Sequence, residues 1–372
     1  MKNNVLMCYH SSEYGGIEKQ ILDLIKELSK DFNFIVVCPA GPLVEKYIEA
    51  GAIKHINLKP KWELDLEYVF KIASICRKEK VNIIHGHELL TGSLSMLGGF
   101  LGAVKKRIYH VHTTFLEWKH EGVKKYISII PNFIANYLVG NFIATDVLAL
   151  TDVLKDIRIN KEGINSRKIT VIYNAVDLQK LAYDFEGAKE IRDKYLIPDY
   201  AFLIGNISRF TEEKGHEILL KAFSEVAKQN DKYNLLLAGG GKLLNFCKNL
   251  TEYLEIKNKV FFTDHFEEAD KTKILSAFDL CVLPTYAEGF GIALIEAMAN
   301  ARPILASDIS VLKEVAGDSV KYFKTGNAKD LASKIIKIEK DDLVSLGEKA
   351  LQRSKEFSMK NFANAYKKLY LK

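Results

Sequence analysis

No Cys-x-x-Cys pair, no apolar run long enough to cross a bilayer and no nucleotide-loop fingerprint occurs in this chain of 372 residues. Each absence excludes something. The five cysteines, Cys8, Cys38, Cys76, Cys247 and Cys281, are widely spaced and mostly stand in apolar runs. They read as buried free thiols in a reducing compartment rather than as a disulfide framework. The N-terminus, Met1-Lys2-Asn3-Asn4, leads straight into a strand-like run without the apolar core of a signal peptide, so a cytoplasmic protein is expected. Neither Gly-x-Gly-x-x-Gly nor a P-loop with its trailing Lys-Ser/Thr is present, which weakens dehydrogenase and kinase readings. The lysines are dispersed and no basic motif with interleaved aromatics appears, so nucleic acid is not an expected partner. The net charge of +6 still permits anionic ligands or an anionic lipid surface.

What is present is a soluble globular composition, 48% hydrophobic and 27% charged, in a chain long enough for two domains. The first half alternates strand-like runs (Val5–Tyr9, Phe34–Cys38, Ile53–Ile56, Val81–His85, Arg107–His112) with helical patterns (Ile17–Leu28, Leu43–Ala50, Leu66–Lys78, Leu89–Leu101). In the first helix Ile21, Leu24, Ile25 and Leu28 share one face at three- and four-residue spacing. The second half repeats the theme, with strands expected at Phe202–Ile207, Asn234–Ala238, Val260–Phe262, Leu280–Pro284 and Pro303–Ala306, and helices at Gly215–Lys228 and Ile274–Phe278 among others. The alternation predicts an α/β protein of two doubly wound, mainly parallel sheets with ligands at the strand C-terminal ends along a cleft. The join falls near Asn174–Pro198, which is charged and lacks a long apolar run. The expected domains are 1–177, 178–357, and a C-terminal helix in 358–372 whose stripe of Phe362, Ala365, Tyr366 and Leu369 needs a partner.

Chemistry concentrates in Glu288-Gly289-Phe290-Gly291-Ile292-Ala293-Leu294-Ile295-Glu296, between a buried strand and a helix. A glycine turn entering a helix offers unpaired N–H groups and the positive end of a dipole, which is an anion site. The carboxylates of Glu288 and Glu296 would repel a phosphate unless they faced something else, and sugar hydroxyls fit. Arg209 and Lys214 follow the first strand of the second half, where they can clamp a diphosphate and stabilise its charge as it leaves. Gly15-Gly16 and Gly239-Gly240-Gly241 also follow strands and permit close backbone approach to a ligand, or simply tight turns. Two His-x-His pairs, His85/His87 and His110/His112, place each pair on one strand face. A metal site is conceivable there, but no other ligand type clusters with them and no Asp-x-Asp occurs, so no metal is expected. His112 is the one expected to meet a ligand, His85 and His110 being structural. The run Ile127 to Leu150, interrupted by Pro131, Asn132, Asn136, Asn141 and Asp146 and preceded by Lys119, Lys124 and Lys125, reads either as an interfacial helix with a basic collar or as an amphipathic helix on the core followed by a strand.

Together these residues resemble the retaining group-1 glycosyltransferases, of family 4 type and GT-B architecture. The resemblance covers nearly the whole chain. Its strongest part is the Glu-x7-Glu stretch with its surroundings from Pro284 to Ala299. Gly15-Gly16, Val171 to Asp177, and Arg209 with Lys214 support it, and Asp308 and Glu314 follow in the expected order. Ala175, Thr263-Asp264 and Ser310-Val311 stand where the family commonly has glycine. The resemblance implies a nucleotide-diphosphate sugar donor, taken as a UDP-sugar, and a glycan or lipid-linked acceptor. It implies that Glu288 binds donor-sugar hydroxyls, that Gly289, Phe290, Gly291 and Ile292 hold the sugar and diphosphate through their backbone, and that Glu296 binds the ribose. Arg209 and Lys214 would hold the diphosphate, Gly15, Gly16 and Gly239 would approach the donor, and His112 would lie beside the donor sugar. The expected reaction is transfer with retention, needing no cofactor or metal, in bacterial surface polysaccharide or glycan synthesis, by a protein that could rest on the inner membrane face against anionic lipid. The alternatives are a nucleotide-sugar epimerase or hydrolase of the same architecture and a non-catalytic sugar-nucleotide-binding subunit.

Overall fold

The computed structural model describes residues 2–13, 15–62, 64–112 and 132–372. They divide into two compact units, 1–174 with 359–372, and 175–358.

In the first unit seven parallel strands form one sheet: β1 Asn3–Cys8, β2 Phe32–Cys38, β3 Ala52–Asn57, β4 Ile83–His87, β5 Lys106–His110, β6 Asp146–Ala149 and β7 Ile169–Val171. Their order is β3-β2-β1-β4-β5-β6-β7. The central strands are buried along almost their whole length, as parallel strands covered by crossover helices must be. Helix Gly16–Leu28 buries Ile21, Leu24, Ile25 and Leu28, the stripe its periodicity marks. β4 begins two residues later than expected and runs through His87, while β5 ends at His110, which leaves His112 just beyond the sheet. β6 is the strand that one reading of the Ile127–Leu150 run placed after a helix, whereas β7 was not among the expected strands; at three residues it is too short for alternation to register.

The final helix, Met359–Leu371, packs on this first unit. Phe362, Tyr366, Leu369 and Tyr370 are buried, the Tyr370 ring lies edge-on to Phe32 at 5.3 Å, and Lys367 reaches Asp31 at 2.8 Å. Tyr370 also holds His85 Nδ1 through its hydroxyl at 2.9 Å.

The second unit has six parallel strands, β8 Phe202–Ile207, β9 Tyr233–Ala238, β10 Val260–Phe262, β11 Leu280–Leu283, β12 Ile304–Ser307 and β13 Lys321–Phe323, in the order β10-β9-β8-β11-β12-β13. One apolar core, including Leu235, Leu237, Leu280, Val282 and Leu305, lies under helices that contribute Leu219, Phe223, Leu331 and Ile335. The charged stretch that suggested a join is not a linker throughout. Within it lies helix Phe185–Lys194, capped by the Asp184 side chain on the Gly187 N–H at 2.9 Å. It buries only Gly187, Ala188 and Ile191, a stripe too narrow to stand out among its charges.

Among the described residues no helix is long and apolar enough to cross a membrane. Lys119, Lys124, Lys125 and the first residues of the Ile127–Leu150 run lie outside the described residues. The remainder forms a helical segment at 132–138, a π-helical turn Val139–Ile143 and β6. Asn136 there is buried and donates to Glu162 at 3.0 Å, and Asp146 pairs with Lys106 at 3.2 Å, whereas Ile134, Tyr137, Leu138 and Phe142 are exposed.

Candidate active site

In the second unit the chain leaves β8 toward β9 on one side and returns after β10 to lay β11 on the other. Such a reversal opens a crevice beyond the C-terminal ends of the two strands, where open α/β sheets take their ligands. The two loops that leave these ends are the ones carrying Arg209–Gly215 and Pro284–Gly291.

The loops are stitched together by backbone. The Glu213 carbonyl accepts from Thr285 Oγ1 at 2.8 Å and from the Tyr286 N–H at 2.7 Å. Gly215, with φ +67, lies so close to Pro284 that a Cβ would overlap its carbonyl oxygen. Only glycine satisfies both the left-handed backbone and that approach. The result is an ion pair across the crevice, Lys214 Nζ to Glu288 Oε1 at 2.6 Å, with side chains only 18% and 12% exposed. Arg209 is exposed on the same loop and makes no ion pair among the described residues. Gly291, φ +89, caps helix Ile292–Ala299, and a Cβ there would come within 2.7 Å of Leu312. In the first turn the Leu294 and Ile295 N–H groups donate to the Gly291 carbonyl at 3.0 and 3.3 Å, whereas those of Ile292 and Ala293 have no carbonyl of their own helix to meet. Phe290 is buried and set edge-on to Phe357 at 5.6 Å, which anchors the turn between Gly289 and Gly291.

Gly239, φ +133, abuts the Ser208 carbonyl and donates its N–H to Thr263 Oγ1 at 3.2 Å, so it props the Arg209 loop from behind. Glu296 is buried on the helix and paired with Lys271 Nζ at 2.8 Å, which also holds Glu268 at 2.8 Å. Lys271, Glu213, Thr285 and His216 are the residues sequence reasoning missed. None stands in a local pattern; each matters through a partner 25 or more positions away or, for His216, through stacking on Phe210 at 4.0 Å. Burial, helped by the Lys214 charge, pushes the His216 pKa down to about 4, so its imidazole is neutral.

The remaining expected residues belong to the first unit. Gly15 caps helix Gly16–Leu28, and the buried Glu18 carboxylate folds back over it. A negative group therefore occupies the N-terminal turn that Gly15 and Gly16 were expected to offer to a phosphate. The register of β4 on β5 sets His87 beside His110, so the two His-x-His pairs make a two-by-two array on one face of the sheet. All four rings are buried, with the His110–His112 centroids 3.8 Å apart and His85–His87 4.2 Å. His112 Nε2 lies 2.9 Å from His87 Nδ1. Burial holds all four well below the usual histidine range, and mutual repulsion adds to it for His85, His110 and His112. Nitrogens of His85, His87 and His110 come within 4.8 Å of one another, the grouping among the described residues that could hold an ion. Their rings stack, at 29° and 14° from the His85 plane, rather than converge on one point, and the buried Arg158 cation lies near. The set reads as neutral imidazoles.

One further residue at this end was not anticipated. Glu88, just past β4, has φ +67 and ψ 164, a region entered comfortably only by glycine and costing another residue about 1–3 kcal/mol.

Two sequence families match this chain. Residues 187–357 match glycosyl transferases group 1, and residues 14–180 match glycosyltransferase family 4. The chain belongs to the group-1, family-4 type glycosyltransferases. It is 26% identical over 310 residues to alpha-monoglucosyldiacylglycerol synthase of Streptococcus pneumoniae, covering 81% of this chain and 68% of that one. It is 27% identical over 310 residues to an Escherichia coli UDP-Gal:alpha-D-GlcNAc-diphosphoundecaprenol alpha-1,3-galactosyltransferase, covering 80% and 77%. Among solved structures, Anabaena Alr3699/HepE in complex with UDP and glucose superposes with a TM-score of 0.85 at 18% identity, covering 98% of each chain. The lipopolysaccharide glycosyltransferase WaaG gives 0.77 at 14%, covering 99% of each. These likenesses establish the GT-B fold, and the family makes the chain a glycosyltransferase.

Proposed function

We propose that this protein moves a sugar from a UDP-sugar to a hydroxyl of a glycan or lipid-linked acceptor, with retention of anomeric configuration and without a metal ion, in the synthesis of a bacterial surface polysaccharide or glycan. The observation that carries the reading is the Lys214–Glu288 pair at the β8/β11 switch point, beside an open helix N-terminus and the exposed Arg209. Three fixed positive sources there suit a diphosphate whose charge grows as the sugar leaves, which is the role a metal plays elsewhere. Lys214 and Arg209 hold the diphosphate, Glu288 takes the sugar hydroxyls, and Glu296 takes the ribose with Lys271 as its counter-charge. The bond between the anomeric carbon and the β-phosphate oxygen breaks as the acceptor oxygen bonds to the same face. The acceptor's proton passes to the departing phosphate oxygen, so no enzyme nucleophile is required.

The test is turnover of a panel of UDP-sugars with alkyl glycoside acceptors in excess chelator, with the product's anomeric configuration read by NMR. Retained configuration and acceptor-dependent UDP release are expected. Equal UDP release with and without acceptor would favour the hydrolase or epimerase alternative.

Contact with an anionic membrane from the cytoplasmic side is a second element of the proposal. Phe100 and Leu101, at the end of helix Leu89–Leu101, are exposed, as are Leu138 and Phe142 on the 132–143 segment. Arg107 ties the two by lying over the Phe100 ring at 5.5 Å and donating to the Ile143 carbonyl at 2.7 Å, with Lys105 exposed nearby. Apolar side chains rimmed by cations are what an anionic bilayer surface binds. Sedimentation with anionic liposomes at low salt, lost at high salt, is the expected behaviour.

A further inference from the structure

His112 stands just beyond β5, and what holds it there is not the sheet. The last β5 carbonyl, that of His110, accepts from the Glu88 N–H at 3.0 Å on the β4 side. The ladder with β6 stops at His110 and Leu148, so the next carbonyl, that of Val111, lies past its end. A side chain takes the place of the missing strand: Arg158 Nη2 donates to the Val111 oxygen.

Arg158 belongs to helix Asp152–Asn160, whose start is fixed by the Thr151 hydroxyl accepting from the Leu154 N–H at 3.0 Å. Helical side chains lean toward the N-terminus, so a residue deeper in the helix can reach back to the strand ends. Arg158 shares the buried face of this helix with Leu154, a position that packing alone would fill with an apolar residue. Instead its guanidinium is 1% exposed and pairs with Glu162, also 1% exposed, at 3.0 Å. Asn136 donates to the same carboxylate oxygen at 3.0 Å.

This network is a poor device for stability. A buried ion pair does no better than break even against a well-packed apolar pair of similar volume. Three of its buried polar atoms, Arg158 Nε, Glu162 Oε1 and Asn136 Oδ1, also lack a partner among the described residues, which adds to the penalty. What the network does supply is geometry. His112 is set from two directions, through its backbone by Arg158 and through Nε2 by His87 Nδ1 at 2.9 Å. Nδ1 is then the ring nitrogen left for a ligand. Burial, with His87, Arg158 and His10 around it, keeps that ring neutral.

We infer that Arg158, with Glu162 as its counter-charge, is a positioning residue for sugar transfer: it fixes the Val111–His112 peptide and so aims the His112 ring at a substrate sugar. The inference rests on the transfer reading above and adds the part of the chain that holds the histidine in place.

The experiment compares wild type with four full-chain proteins: Arg158→Lys, the double variant Arg158→Met with Glu162→Gln, His112→Ala, and the last two combined. The double variant removes both charges together and keeps an accepting oxygen for Asn136, so no bare charge is left buried. The substrates are alkyl glycosides and the UDP-sugar that wild type turns over. The double variant is expected to melt cooperatively and to keep UDP affinity by calorimetry within about twofold. Its kcat should fall by about tenfold to a hundredfold with both KM values little changed, as a misplaced group would cause. Arg158→Lys lacks the fork needed to hold Val111 and Glu162 at once and should recover only part of that loss. The combined variant should be no slower than His112→Ala alone, because both changes remove one function. Wild-type kcat in the double variant or in His112→Ala overturns the assignment. So does a combined variant whose loss is the product of the separate losses, since Arg158 then acts elsewhere. A double variant that neither melts cooperatively nor binds UDP overturns it too, because the pair is then structural. A wild type that transfers to no acceptor with any UDP-sugar removes the transfer reading itself, and this inference with it.

Discussion

The sheets of the two units run in the same order at their centres, β3-β2-β1-β4 in one and β10-β9-β8-β11 in the other, yet the two switch points are chemically unlike. At the second, charge is plentiful and locally balanced: Lys214 with Glu288 and Lys271 with Glu296. At the first, four neutral imidazoles are stacked on one sheet face, and the carboxylates of buried Glu18 and half-buried Glu88 make no ion pair among the described residues. Balanced pairs suit a highly charged guest, since each member can exchange its partner for part of the ligand without becoming a bare buried charge. A desolvated array with little charge suits a guest that brings hydroxyls rather than phosphate. One topology thus supports opposite electrostatics, because the topology fixes only where the loops emerge and the loop residues fix what they recognise.

The comparison can be broken most directly with acid. Burial lowers the pKa of His87 to about 3 and of His216 to about 4, and holds His85, His110 and His112 below the ordinary value near 6.5. A histidine with a depressed folded-state pKa contributes stability that is complete above the unfolded value. That stability is lost as pH falls from about 6.5 toward the folded value, because the unfolded chain takes up protons the folded one refuses. The slope is about 1.4 kcal/mol per pH unit for each such histidine. Four lie in the first unit and one in the second, so the first should unfold at the higher pH. Both tryptophans, Trp62 and Trp118, lie in residues 1–174, so tryptophan fluorescence reports the first unit and far-UV circular dichroism both. Coincident acid transitions would contradict the account.

Removing the cations of the second unit comes next. Arg209→Ala and Lys214→Ala should each cost about 2–4 kcal/mol of transition-state stabilisation, read as kcat/KM, as loss of one oxyanion donor does. Full turnover in both variants would unseat the diphosphate assignment. Gly215→Ala tests the stitching instead. Its φ of +67 and the overlap with Pro284 predict a loss of about 2 kcal/mol by denaturant unfolding, together with lost donor binding. The smallest effect should follow Lys271→Ala, which removes the ion pair to Glu296. The donor KM should rise severalfold, about 1 kcal/mol, with kcat little changed.

Much of the second unit's site was legible in advance because its signals are local. Glu288, Gly291 and Glu296 lie within nine consecutive residues, and a strand before them with a helix after them fixes where they sit. Lys271, by contrast, reaches Glu296 across 25 positions, and nothing beside it in the chain distinguishes it from other surface lysines. The first unit was legible in its strands but not in its chemistry. The His-x-His spacing told that each pair shares a face; only the pairing of β4 with β5 could tell that the two faces coincide. Gly15-Gly16 read as an anion cradle because a side chain three residues on, Glu18, gives no sign in one dimension that it folds back over the turn.

The sequence by itself determined the alternation of strands and helices, the two parallel sheets and the glycine turn at Gly291, because apolar periodicity and the need for positive φ act between near neighbours. The tertiary structure alone decided that Lys214 meets Glu288, that four imidazoles stack, and that Glu88 is held in a glycine's conformation. Each of these is set by strands distant in the chain and adjacent in a sheet, and register is a property of the pair, written in neither strand alone.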